Sequence, residues 1–156
     1  MSATIDAKYE AYMAERSNSL ARLINQFKKD IDLRILQKIR ERGYNDFKLG
    51  DMVLLVNIDS HGTINNDLAR KARISKQAMS KVVKNLEAGN YISSRKHDTD
   101  NRASLIFLTD KGKEFMITVY EVVDEVTDFY AAIIGEEEMK HLKALLKSIT
   151  VGLNLS

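Results

Sequence analysis

The chain contains no cysteine and no proline. The first absence excludes disulfide bridges, thiol catalysis, cysteine-ligated zinc and cysteine-based redox sensing. The second, together with the lack of low-complexity stretches and obvious repeats, leaves no sign of a flexible linker between domains. Long apolar runs are missing too. A run such as Met52 to Val56 is far too short to span a bilayer. The amino terminus, MSATIDAKYEAYMAER, holds no apolar signal core, so export is not expected and the cytoplasm is the expected compartment. Histidines are scarce, and His61, His97 and His141 show no metal-ligand or catalytic spacing. A Gly-rich phosphate loop, a His-Glu-x-x-His helix and a nucleophile elbow are likewise missing. These gaps argue against an enzyme, a cofactor or a metal site.

What is present is ordinary in amount and uneven in placement. A chain of 156 residues, 44% hydrophobic and 29% charged, suits one globular domain, or one domain with an oligomerisation element. The formal charge of +2 conceals a strong gradient. Residues 1–59 carry 10 Lys and Arg against 9 Asp and Glu, residues 60–113 carry 11 against 5, and residues 114–156 carry 3 against 8. A basic centre beside an acidic tail fits a nucleic-acid surface with an arm that faces elsewhere. A solvated basic face without a partner has the same composition.

Apolar residues recur at helical spacing from Ile5 to Phe27, which predicts one amphipathic helix, and Asp30 is a plausible N-cap for a second helix closed near Gly43. The short stretch LGDMVLLVNI is apolar on nearly every side and reads as a buried core helix, after which SHGT breaks the chain. Next comes NNDLARKA, with Asn65 or Asn66 as cap and Leu68, Ala69 and Ala72 as buried face. Ser75 then caps a helix whose stripe is Met79, Val82, Val83 and Leu86. Two helices joined by a short turn, with small Ala69 where they meet, form a helix-turn-helix pattern. Gly89 and Asn90 end the second of them. Residues 91–97 and 103–108 read as two strands joined by the turn DTDN. Thr109 and Asp110 begin a long helix with Phe115, Val119, Val122, Val126, Phe129 and Ile133 on one face. Gly135 stops it, and EEEMKHLKALLKSITVGL resumes as a last helix with three acids in its first turn. The expected fold is mostly α with a small two-stranded β wing.

Such a module reads DNA by placing its second helix in the major groove. The exposed positions there are Ser75, Lys76, Gln77, Ala78, Ser80 and Lys81, with Lys84 one turn on. Gln can pair with adenine, Lys with guanine or a phosphate, and Ala can meet a thymine methyl. Ser hydroxyls suit phosphate oxygens. Any one of these lysines alone would be an ordinary solvated residue; the combination within one motif carries the argument. Arg95 and Arg102 flank the hairpin tip, where an arginine can enter a narrow minor groove, and Asp100 is placed to orient Arg102. The competing reading of Asp100 and Arg102 is a self-contained surface pair.

The segment DLARKARISKQAMSKVVKNLEAGNYISSRKHDTDNRASLIFLTDKG, Asp67 to Gly112, resembles the MarR family of bacterial winged-helix transcription regulators. The resemblance rests on the Leu-Ala pair at 68–69, Ser75, Ser80-Lys81, Leu86-Glu87, Arg95, Asp100-x-Arg102 and Leu108-Thr109-x-x-Gly112. Asn90 stands where the family usually has glycine, and asparagine tolerates the same turn. Arg73 adds a cation close to the DNA face. The resemblance implies a homodimer built from the terminal helices that binds a pseudo-palindromic operator, and use as a repressor is the expectation. The terminal stripes agree, being larger than a small central module could cover. The chain accordingly divides into 1–30 and 114–156 as dimerisation helices and 31–113 as the winged helix-turn-helix lobe. Many relatives respond to small, often aromatic, acids bound between these parts. Tyr44, Phe47, Met52, Met116 and Tyr120 are available to line such a pocket, or to pack an ordinary core. Two rival functions remain open: a winged-helix protein-interaction module that binds no DNA, and a small-ligand-binding protein with incidental DNA affinity.

Overall fold

The computed structural model describes residues 2–72, 75–96 and 104–154. Helix α1, Ser2–Glu15, gives way to a single 3-10 turn at Arg16–Asn18, and Ser19 turns extended before α2, Leu20–Glu41. The single helix expected over residues 5–27 is therefore two, broken at the polar Arg-Ser-Asn-Ser stretch, whose short side chains favour turns over a helix interior. Asp30 is not an N-cap. It lies inside α2, where its carboxylate accepts hydrogen bonds from Arg34 Nε one turn on and from the Tyr130 hydroxyl, both at 2.6 Å. Gly43, at φ +91°, follows the end of α2 in the left-handed region.

Helix α3 spans Leu49–Leu55, with the Lys48 backbone N–H donating to the Asp51 carboxylate at 3.0 Å. Met52, Leu54 and Leu55 are buried, while Val53 and Val56 stay exposed. Strand β1 is only Thr63–Ile64, and it turns the expected two-stranded wing into a three-stranded antiparallel sheet. Two residues are too few to show a period of two. Thr63 and Ile64 pair with Ile106 and Leu105, and the buried Thr63 hydroxyl accepts from the Asp59 N–H at 2.9 Å. Helix α4, Asn65–Lys71, starts directly from that strand. Neither asparagine acts as its side-chain cap, because Ile64 holds the cap position and Asn65 Oδ1 accepts only from the neighbouring Asn66 N–H.

Helix α5, Lys76–Ala88, is capped as expected by Ser75, whose hydroxyl accepts from the Ala78 N–H at 3.2 Å. Of the two residues after it, Asn90 rather than Gly89 takes the left-handed conformation, at φ +59°. Strands β2, Ile92–Lys96, and β3, Ser104–Leu108, pair in the register Ser94 opposite Ile106 and Arg95 opposite Leu105. The expected DTDN turn lies outside the described residues. Helix α6, Asp110–Ile134, is capped by Thr109, and α7, Glu136–Gly152, follows Gly135 at φ +98°. No described helix is long and apolar enough to cross a membrane.

One core joins the lobe to α6. Phe47 stacks on Phe115 at 3.9 Å between ring centroids, with Tyr44 and Tyr91 edge-on to Phe115. Ile39, Leu54, Leu68, Ile106 and Val122 are fully buried around them. Burying side chains of this size contributes about 1.5–3 kcal/mol each. The terminal helices differ. Residues 4–15 of α1 are exposed except for Met13, and Leu145, Leu146 and Ile149 of α7 are also exposed.

Candidate nucleic-acid interface

Burial fixes which side of α5 is available. Met79 and Leu86 are buried and Val82 and Val83 pack against the core. The helical repeat then turns Gln77, Ser80, Lys81 and Lys84 outward, and all four are exposed, as are Ser75 and Ala78. Lys76 opens the helix next to them. Neither Lys81 nor Lys84 makes an ion pair among the described residues, so this face keeps its positive charge. The cations of α4 are used locally: Arg70 pairs with Asp67 at 2.9 Å and Lys71 with Asp59 at 2.9 Å. Asp59 is held below the usual carboxylate range by the hydrogen bond from Lys71, and next by that from Thr63.

Strand alternation sorts the wing into two faces. Ser94, Ser104 and Ile106 turn toward α5 and line a cavity of about 380 Å³ beside it. Arg95 takes the other face, with its guanidinium 5.3 Å over the Phe107 ring. Arg95 is exposed and close in sequence to the hairpin tip, yet it does not share the α5 side of the wing. Arg73, Asp100, Arg102 and His97 lie outside the described residues.

The α5–β2 corner is tied to α6 by contacts that sequence reading did not single out. The Thr109 hydroxyl donates to the Asn90 carbonyl at 2.7 Å, and Lys111 Nζ donates to the Gly89 carbonyl at 2.8 Å while lying 4.1 Å over the Tyr91 ring. Gly112 sits so close to this corner that an added Cβ would fall 2.0 Å from the Tyr91 carbonyl oxygen. The Ser94 hydroxyl donates to the Glu87 carboxylate, joining α5 to the wing. The spacing Leu108-Thr109-x-x-Gly112 held a signal for the Thr109 and Gly112 contacts. The Ser94–Glu87 contact joins residues on separate elements and had none.

The residues proposed for an effector pocket are divided. Phe47, Met52 and Met116 are packed in the core, Tyr44 is half-buried against Phe47 and Phe115, and Tyr120 is exposed. A strongly apolar groove lies elsewhere. It measures about 570 Å³ and runs between α2, α6 and α7, lined by Leu23, Ile24, Phe27, Tyr130, Ile133 and Leu142 among others. At its edge Tyr130 bonds Asp30, and Arg34 lies 3.9 Å over the Phe129 ring. Burial raises the Tyr130 hydroxyl pKa, and the bond to Asp30 raises it further. Among the described residues no group of three His, Asp or Glu side chains is arranged to hold a metal ion.

Residues 47–104 match the model of the MarR family. The chain is 25% identical over 124 residues to the HTH-type transcriptional regulator BilQ of Clostridium symbiosum, covering 79% of this chain and 84% of that protein. It is 30% identical over 90 residues to the HTH-type transcriptional regulator FarR of Neisseria gonorrhoeae, covering 57% and 62% respectively. In fold it is similar to the transcriptional repressor CouR bound to a 23-mer DNA duplex, with a TM-score of 0.77 at 18% identity over 88% of this chain and 96% of that one. The crystal structure of MarR gives 0.76 at 15% identity over 88% and 98%.

Proposed function

Since residues 47–104 match the model of the MarR family, we propose that the chain is a winged helix-turn-helix repressor of that family, which binds a pseudo-palindromic operator as a homodimer, one α5 in each of two successive major grooves. The observation that carries this reading is the outward face of α5, where Gln77, Ser80, Lys81 and Lys84 are exposed and both lysines lack ion pairs among the described residues. A helix in the major groove needs hydrogen-bonding side chains aimed at base edges and free cations for the flanking phosphates. Ser75 and Ala78 are exposed beside them; Arg73, Lys76 and Arg102, with Asp100 to orient Arg102, are further DNA contacts in this reading, and Arg95 is a contact from the other face of the wing. The DNA duplex bound to CouR supports the docking mode by similarity of fold.

The homodimer is supported by the apolar surface left on the terminal helices. Residues 1–30 and 114–156 present Tyr9, Leu23, Ile133, Leu146 and Ile149 to solvent, and Leu23 and Ile133 also line the α2–α6–α7 groove. Monomers seldom leave so large an apolar patch open. A second copy covers it with an identical surface. Release by a small aromatic or acidic effector belongs to the same reading, with Tyr44 and Tyr120 the accessible candidates and Phe47, Met52 and Met116 the core against which they would shift. The cytoplasm is the compartment in which such a regulator meets its operator.

Selection of bound fragments from genomic DNA, followed by binding isotherms on the selected site and on random duplex, tests this function. The expected result is one two-fold-symmetric site bound far more tightly than random duplex. Binding to neither would leave a winged-helix protein-interaction module. Equal weak binding to both, with ligand-induced thermal stabilisation, would leave a small-ligand-binding protein.

A further inference from the structure

The cavity between α5 and the wing has walls of two kinds. Met79, Val83 and Ile106 form an apolar floor, and polar groups from four elements rise around it: Asn66 from α4, Ser80 and Lys84 from α5, and Ser94 and Ser104 from the two wing strands. One acid is present. Glu87 stands one turn beyond Lys84 and holds the Ser94 hydroxyl. Lys84 has no ion pair among the described residues, so Glu87 lowers the charge of the cavity without directly neutralising the ammonium.

The shape of DNA says what should lie here. In a duplex the major and minor grooves are separated by one sugar-phosphate strand. A helix seated in the major groove and a hairpin reaching the adjacent minor groove must therefore straddle that strand. The space between α5 and β2–β3 is where it passes. Phosphate oxygens take hydrogen bonds from hydroxyls, amides and ammonium groups alike, and such contacts set position and affinity without reading sequence. Hydroxyl, amide and ammonium donors converge on this one cavity.

We propose that the α5–wing cavity seats a backbone phosphodiester of the operator, with Lys84, Ser104 and Asn66 as its donors and Glu87 as a fixed negative charge that limits the affinity. This rests on the DNA-binding reading above and adds a property that reading does not contain. Glu87 lies at the nucleic-acid surface, and removing its charge strengthens binding. Its carboxylate also fixes Ser94, and therefore the wing, relative to α5. A glutamine keeps an acceptor oxygen for Ser94 while removing the charge, so the two roles separate.

The test uses the full-length protein and fluorescence anisotropy on the selected operator and on random duplex over a range of salt concentrations. Glu87→Gln should tighten binding several-fold on both duplexes alike, and Glu87→Lys should tighten it further and steepen the salt dependence. Ser104→Ala should weaken both alike with the salt slope unchanged, because it removes a neutral donor. Circular dichroism checks that each variant folds. If wild-type protein binds the operator but Glu87→Gln leaves both affinities unchanged or weaker, the phosphate seat is wrong while the DNA-binding reading stands. If wild-type protein binds no duplex, that reading fails first. Inorganic phosphate titrated into the free protein at constant ionic strength separates a free oxyanion from the DNA backbone. Saturable phosphate binding that disappears in Lys84→Ala would reassign the cavity and overturn the proposal.

Discussion

Along α2 and at its C-terminal end, several cations have partners. Lys28 meets Asp32 at 2.5 Å, Arg34 meets Asp30 at 2.6 Å, and Lys38 and Arg42 converge on Glu125 of α6. On α5 the exposed lysines 81 and 84 have none among the described residues. Apolar residues divide the opposite way. In the lobe the α5 stripe is buried within the chain, whereas on α1 and α7 most of the stripe is left open. One region pairs several of its cations internally and leaves apolar surface for a partner. The other satisfies its apolar surface internally and leaves its charges. Unmet requirements of two chemical kinds point to two partners, a second protomer and a polyanion.

Four perturbations break or sharpen that contrast. The largest effect belongs to the internal core: Phe115→Ala removes the ring stacked on Phe47 and should cost about 3–5 kcal/mol, read by urea unfolding. Next is the open stripe. Leu146→Asp, or the same change at Leu142 in the groove wall, should give folded monomers with much weaker operator binding, read by sedimentation. An intact dimer after either change would remove α7 from the interface. Third is the face proposed to read bases, where Gln77→Ala should cost ~1–3 kcal/mol at one base pair of the operator and nothing on random duplex, read by isotherms on single-base variants.

The smallest effect is on acid stability. Asp30 is held below the usual carboxylate range by its hydrogen bond from Tyr130 and then by Arg34, and Glu125 is lowered by Lys38 and Arg42 against the opposing effect of partial burial. A carboxyl whose folded pKa is depressed stabilises the fold above its unfolded pKa, and that contribution is lost as pH falls through the folded value. Stability should therefore decline modestly below the ordinary carboxylate range. In Asp30→Asn the decline should be shallower, read by thermal melts across acid pH. These pairs are exposed to solvent, so salt should weaken the effect.

The parts of the fold readable in advance were those set by local chemistry. Ser75 and Thr109 cap their helices because each precedes an apolar stripe, and Gly135 ends α6 where a left-handed residue is required. The parts missed depended on partners distant in the chain. Thr63 and Ile64 become a strand only because Ile106 and Leu105 are there to pair with, and Asp30 serves Tyr130, a hundred positions away, rather than a helix end. The site divides in the same way. Periodicity is enough to turn Gln77, Lys81 and Lys84 outward, but the cavity that Lys84 shares with Asn66 and Ser104 needs three elements folded together. Arg95 shows the limit from the other side, since strand alternation sends it to the face of the wing away from that cavity.

The contrast between free and paired cations can be measured directly. The salt dependence of operator binding should be compared for wild type, Lys84→Ala and Lys38→Ala, each at the same dimer concentration. Lys84 is free to meet a phosphate, so its loss should weaken operator and random duplex alike and lower the salt slope by about one unit. Lys38 is committed to Glu125, so its loss should leave the slope at the wild-type value. Equal slopes for the two variants, or a larger change for Lys38→Ala, would contradict the assignment of the DNA surface to α5.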